Sequence, residues 1–266
     1  METQIKKTNI VNFLTSLTNK KFFYWPNPGN AGDALIAHST YLLFDSLNLD
    51  YEIIEDTSIL RNQTVVFAGG GNLIEGKYDH MYNELLNAVK YNHCIILPHT
   101  VSGYPDLINK NRHSLTIYCR EFKSYANCTL YNKKNIFLTD DMAFYYPKEY
   151  FSSFEQRGLG TAYCFRTDSE STRLIEIPVT NRDISCSWNG NIWSNKLLAK
   201  YVSLSLASYL ASFESVETDR LHIAILGSLL KKKVKLFSNN YYKNKAVFEN
   251  SIVNRFPHTS YIHITS

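Results

Sequence analysis

The sequence predicts an α/β protein made of two Rossmann-like halves, each a parallel sheet covered by helices. Three observations carry that expectation. Short apolar runs rich in β-branched and aromatic residues alternate with stretches of helical periodicity. Parallel neighbours need crossovers, and the helical stretches supply them. A looser stretch over 146–160, with Pro147, Gly158 and Gly160, separates two such series and sets the expected domains at 1–150 and 151–266.

The first series reads as strands at 22–25, 65–67, 94–97, 115–119 and 136–138, with helices over 33–47, 78–91 and 121–128. Before it, Ile10, Phe13, Leu14 and Leu17 share one helical face, a pattern for docking on the protein's own core. The second series reads as strands at 163–165, 184–186, 215–217 and 234–237, with helices over 194–213 and 220–230. In doubly wound folds a ligand lies outside the C-terminal ends of the strands, here expected in the cleft between the halves.

At 266 residues and 44% hydrophobic, the chain is long enough for a sizeable core. Its net charge of +4 is small and its Lys and Arg are dispersed, which argues against nucleic acid as a partner and leaves a small acidic substrate compatible. The five cysteines, 94, 119, 128, 164 and 186, contain no CxxC pair, so neither a disulfide framework nor a metal site is expected, and all five are read as reduced and buried. The N-terminus lacks the apolar core of a signal peptide and no later run reaches the roughly 20 apolar residues of a membrane span. A cytoplasmic location follows as an expectation.

Polar clusters fall at the expected strand ends. In GNAGD, Gly29 and Gly32 make room while Asn30 and Asp33 bring polar groups to a helix start. Asp33 either caps that helix or acts on a substrate. Gly69, Gly70, Gly71 and Asn72 read as a ligand-facing loop after one strand, and LPHTVSG places His99 after the next. Arg120 leaves the strand 115–119 at the same edge. In ETDRLHIAILGSLL, Thr218 or Asp219 can cap a helix whose first turn carries Arg220 and His222, where free amides and the helix dipole favour an anion.

Together and in order, GNAGDALI, FAGGGNLIEG, LPHTVSG, CRE with Ser124, LTDDMAF and TDRLHIAILGSLL resemble the polysaccharide pyruvyltransferase family over about residues 23–250; YCFRTDSE and NRDISCSW look like strand openings of its second domain. The resemblance implies a GT-B-like pair of Rossmann-like domains with the active site in the interdomain cleft. It further implies transfer of pyruvate from phosphoenolpyruvate to two hydroxyls of a sugar in a cell-surface polysaccharide or its precursor, giving a cyclic ketal with no cofactor. Carried over from its motifs, His99, Arg120, Arg220, Leu221 and His222 form the expected phosphoenolpyruvate site. Guanidinium groups suit the donor's phosphate and carboxylate.

His222 is the first choice for general acid and His99 the second, since imidazole exchanges protons near neutral pH. Asp33 and Asp141 are candidates for orienting or deprotonating the acceptor, although Asp141 equally suits a cap. Asn30, Gly70, Gly71, Asn72, Glu75 and Arg166 are the acceptor candidates, with Trp188 and Trp193 as weaker ones. The acceptor is expected to be lipid-linked or nucleotide-linked. LLKKKVKL at 229–236 reads as a solvated helix end, with peripheral contact to the inner face of an anionic membrane as a minor alternative. The competing functional readings are a GT-B-type glycosyltransferase using a nucleotide sugar and a noncatalytic glycan-binding module.

Overall fold

The computed structural model describes residues 7–78, 80–155 and 158–264. These divide into two compact units, the first within 1–27 and 40–142, the second within 28–39 and 143–266. In chain order the elements up to residue 142 are α1 (Ile10–Thr15), β1 (Phe22–Trp25), β2 (Gly29–Asn30), α2 (Ala31–Ser46), β3 (Tyr51–Ile53), β4 (Thr64–Phe67), β5 (Gly70–Ile74), α3 (His80–Ala88), β6 (His93–Ser102), α4 (Pro105–Lys110), β7 (Leu115–Cys119), α5 (Phe122–Thr129) and β8 (Ile136–Leu138). Then follow β9 (Thr161–Tyr163), β10 (Asn189–Gly190), α6 (Lys196–Ala211), β11 (Ser215–Thr218), α7 (Leu221–Leu229), β12 (Lys233–Phe237), α8 (Lys243–Val247) and β13 (Thr259–Ile262).

The first unit carries a parallel sheet in the order β3-β1-β4-β6-β7-β8, with β5 also paired to β6. Its central strands β4, β6 and β7 are largely buried on both faces, which is why they read as continuous apolar runs. Val65, Phe67, Ile96 and Ile117 stack with Trp25 and with Leu85 of α3 in one core. On α1, Ile10 and Leu14 are fully buried, and the Phe13 ring packs tilted 5.0 Å from Tyr118, so this short helix docks on its own core as its periodicity suggested.

Two expectations change here. The triple glycine is not an open loop: Gly70 begins β5, which continues the line of β4 alongside β6, with Gly70 opposite His99 and Leu73 opposite Val101. A Cβ on Gly69 would stand 2.7 Å from the Pro98 carbonyl oxygen, so close strand approach explains that glycine. Because β6 serves both β4 and β5, it runs to Ser102, and His99 and Thr100 lie within a strand rather than after one.

The second unit has a parallel sheet in the order β13-β12-β11-β9 and a small antiparallel pair of β10 with β2. Helix α7 lies close on this sheet because Gly227 leaves room: a Cβ there would reach Val234 Cγ2 at 3.0 Å and Val216 Cγ2 at 3.4 Å. Strand β9 starts two residues earlier than expected, since residues 161–163 are the ones that pair with Ser215, Val216 and Glu217. The expected strand over 184–186 is a single 3-10 turn, Ile184–Ser187, closed by Cys186 N donating to the Asp183 carbonyl at 3.1 Å.

Residues 28–39, which carry GNAGD, group with the second unit. The bonds explain it. β2 pairs with β10, Trp193 Nε1 donates to the Gly29 carbonyl at 3.0 Å, and the Tyr146 hydroxyl donates to the Leu35 carbonyl at 3.3 Å.

Candidate functional site

In the second unit the polar residues gather where β9 and β11 end. Asn30 Oδ1 accepts from Gly32 N at 2.8 Å, so Asn30 caps α2, the role the sequence had offered to Asp33. The Asp33 carboxylate instead folds back over Gly29, where a Cβ would stand 2.1 Å from its Oδ2; with φ at +154°, only glycine suits that position. A Cβ on Gly32 would stand 2.7 Å from His222 Nδ1, so the first turn of α2 packs directly on the half-buried histidine at the start of α7. Two helix N-termini thus meet at His222, each with the positive potential of a helix start.

Arg220 N-caps α7 by backbone position and is 3% exposed. Its Nε and Nη2 donate to Asp183 at 2.8 and 2.5 Å, Nη1 lies 2.8 Å from Asp168 Oδ2, and Nη2 donates to Cys186 Sγ at 2.9 Å. Burial works against its charge, but the Asp183 hydrogen bonds and the Asp183 and Asp168 carboxylates outweigh it and raise the pKa. Arg166 donates from Nε and Nη2 to Asp168 at 2.8 and 3.1 Å, and pairs with Glu170 at 2.9 Å. Asp219 Oδ1 accepts from Arg166 N at 2.7 Å; burial pushes this carboxyl up to about 6 against the hydrogen bond from Arg166 and the nearby guanidinium charges. Leu221 packs into the core.

The first unit assembles a different cluster, at the ends of β4 to β8. His99 is fully buried. Its Nε2 accepts from Asn72 N at 3.1 Å, which puts the ring proton on Nδ1, facing the Ala68 carbonyl at 3.3 Å. Burial, reinforced by the Arg120 charge, drives its pKa down to about 3, so the ring is neutral with both nitrogens engaged. Arg120 donates from Nε to Thr100 Oγ1 at 2.9 Å and from Nη1 to Asp141 Oδ2 at 2.7 Å, with both partners of that ion pair essentially inaccessible. Asp141, in the loop just before the 3-10 turn Met142–Tyr145, is half of a buried pair.

Around them, Glu121 caps α5 by accepting from Ser124 N, and Ser124 Oγ accepts from Val101 N at 2.8 Å. Glu75 Oε2 accepts from Tyr104 N at 3.2 Å. The side-chain oxygen of Asn72 is buried with no hydrogen-bond donor among the described residues.

Other candidates take structural roles. Trp193 is fully buried and anchors Gly29. Cys186 is exposed, unlike the other four cysteines. The lysine run is not a solvated helix end: α7 stops at Leu229, residues 233–237 form β12, and Lys231, Lys233 and Lys235 pair with Glu155, Glu214 and Glu217. Lys232 is buried and donates to the Ala211 carbonyl at 2.9 Å. The sequence reading missed Asp168, Glu170 and Asp183. A signal was present in the first two, since Arg166 is followed at every second position by the acids Asp168 and Glu170.

Parallel sheets with helix starts and buried arginines at the C-terminal strand ends place the chain in the Rossmann-like α/β class. A family model, polysaccharide pyruvyl transferase, matches residues 30–241, and the chain belongs to that family. Membership supports a pyruvyltransferase role, that of a transferase acting on polysaccharide. The chain is also similar to the crystal structure of a functionally uncharacterized protein from Klebsiella pneumoniae subsp. pneumoniae NTUH-K2044, at 39% identity over 97% of each chain with a TM-score of 0.86. No curated protein matches it. Among the described residues, no helix is long and apolar enough to cross a membrane.

Proposed function

We propose that the protein transfers pyruvate from phosphoenolpyruvate to two hydroxyls of a sugar in a cell-surface polysaccharide or its precursor, forming a cyclic ketal. The observation that carries this reading is the placement of His222 at two helix starts, two residues from Arg220, itself joined to Arg166 through one carboxylate. That set offers an acid and two cations to a donor with two anionic groups. The GT-B-like arrangement expected from the resemblance stays part of the proposal.

In the proposed course, His222 gives a proton to the methylene carbon of the donor, which becomes the methyl group, and C2 takes on oxocarbenium character. One sugar hydroxyl adds to C2 and loses its proton, inorganic phosphate leaves with its bonding pair, and the second hydroxyl adds with loss of a proton to close the ring. Phosphoenolpyruvate and a diol thus give a ketal and phosphate. Activation is by protonation, and no step is routed through a metal or cofactor. His99 has its one ring proton committed to a backbone carbonyl, which favours His222 as the acid. Asp33 is the proposed base for the acceptor, and the buried oxygen of Asn72 is a proposed acceptor for a sugar hydroxyl.

The test is incubation with phosphoenolpyruvate and lipid-linked or nucleotide-linked sugar acceptors, following phosphate release and acceptor mass. A ketal gain in wild type that is lost in Arg220→Ala is the expected result. Turnover of nucleotide sugars with no consumption of phosphoenolpyruvate would overturn the reading in favour of a glycosyltransferase.

A further inference from the structure

Arg166 and Arg220 are each held by a pair of carboxylates, and the two members of each pair differ in kind. Asp183 grips Arg220 through two hydrogen bonds and its side chain is 6% exposed. Glu170 holds Arg166 Nη2 at 2.9 Å, is 4% exposed, and is itself fixed by Lys243 Nζ at 2.9 Å. These are buried fixtures. Asp168 is shared by both arginines and its side chain is 38% exposed. Its Oδ1 accepts from Arg166 Nε at 2.8 Å and from Glu170 N at 3.0 Å, while Oδ2 accepts from Arg166 Nη2 at 3.1 Å and lies 2.8 Å from Arg220 Nη1.

The last contact is an ion pair without a hydrogen bond: Arg220 Nη1 is buried and has no acceptor in bonding geometry among the described residues. A carboxylate with two oxygens satisfies the Arg166 fork and leaves this donor unserved. An oxyanion with different reach, approaching from the side Asp168 now occupies, would meet Arg166 Nε and Arg220 Nη1 together while Glu170 and Asp183 kept both guanidinium groups in place. Fixed donors with a single accessible partner make a preorganised anion clamp.

We infer that Asp168 is an internal stand-in for a substrate oxyanion, so that Arg166 and Arg220 form one anion subsite which the substrate enters by displacing the Asp168 carboxylate. For the ligand's identity this rests on the pyruvyltransferase reading, in which the oxyanion is the phosphate or the carboxylate of phosphoenolpyruvate. It also moves Arg166 from the acceptor side to the donor side. Burial opposes the charge on Asp168, but the Arg166 hydrogen bonds and the two guanidinium charges hold its pKa below the usual carboxylate value, so at neutral pH it competes with the ligand as an anion.

The experiment is calorimetric titration of the full chain with inorganic phosphate and, separately, with pyruvate. Asp168→Asn should bind one of them about tenfold more tightly than wild type, a change of ~1.4 kcal/mol. A gain for phosphate assigns the donor's phosphate to the subsite, and a gain for pyruvate assigns its carboxylate. Adding Arg166→Met to Asp168→Asn should abolish the gain, and Asp168→Glu, which keeps the charge on a longer arm, should stay within about twofold of wild type.

No gain for either anion, a gain that survives Arg166→Met, or loss of the folded state in Asp168→Asn as read by circular dichroism would each overturn the inference. The last would show that the carboxylate is structural. Ketal formation is followed separately: tighter anion binding without transfer keeps the subsite and removes the pyruvyltransferase reading, whereas transfer with unchanged anion affinity does the reverse.

Discussion

The two units solve the same polar problem in opposite ways. In the first, His99, Arg120 and Asp141 are sealed, with relative exposures of 0%, 1% and 0%, and their hydrogen bonds close on Ala68, Asn72, Thr100 and one another. In the second, Arg166 and Arg220 are nearly as buried, yet their network ends on the accessible Asp168 and lies beside half-buried His222. Residue type alone does not distinguish these clusters. What differs is whether the last partner in the network is protein or open to replacement. A closed network fixes backbone at the strand ends; an open one can exchange a carboxylate for a ligand.

The largest expected effect breaks the closed network. Arg120→Met removes the ion-pair partner of buried Asp141 and should cost about 3–5 kcal/mol in urea denaturation, while Arg120→Met with Asp141→Leu should recover most of it. If the double variant regained stability but not transfer, Arg120 would have a substrate role that its burial does not reveal. In the open network, His222→Asn should lower transfer by roughly 10²–10⁴-fold with the melting temperature almost unchanged. A variant that lost stability instead would make His222 a packing residue under Gly32.

This contrast explains what could be read in the sequence. Strands such as Phe22–Trp25, Leu115–Cys119 and Ile136–Leu138 were legible because burial on both faces selects unbroken apolar runs between turn residues. Gly70–Ile74 was not, since glycines that allow close strand approach carry the same letters as glycines that open a loop. At the site, Arg220 and His222 were visible as a local motif at a helix start. Their setting was not: Asp168 and Asp183 reach Arg220 from distant points in the chain, and only the folded sheet brings them together. The place of GNAGD was hidden for the same reason, because its partners Trp193 and β10 lie far downstream.

An intermediate effect tests the packing of the two helix starts in the second unit. Gly32→Ala adds a methyl 2.7 Å from His222 Nδ1, which the ring must yield to, and should cost about 1–3 kcal/mol. Transfer should fall further than stability if the ring position matters to proton delivery. Equal losses in both would leave Gly32 as a packing glycine.

The smallest net effect separates the units by pH. Buried His99 has its folded pKa near 3, below the ordinary 6.5, so as pH falls through 6.5 the unfolded state takes up the proton first and stability declines until about pH 3. Asp219 runs the other way. Its folded pKa near 6 lies above the ordinary 3.8, so the native state holds the proton longer, and the stability this contributes at low pH is lost as pH rises from 3.8 through 6. Between pH 4 and 6 the two slopes oppose, and part-buried His38, which burial lowers to about 4, adds a slope of the same sign as that of His99. Relative to wild type, His99→Gln should make stability rise less with pH across that interval, and Asp219→Asn should make it rise more. Denaturation midpoints at half-unit steps would show this, and slope changes of the same sign in both variants would mean that one of the two groups is not held in the protonation state its surroundings impose.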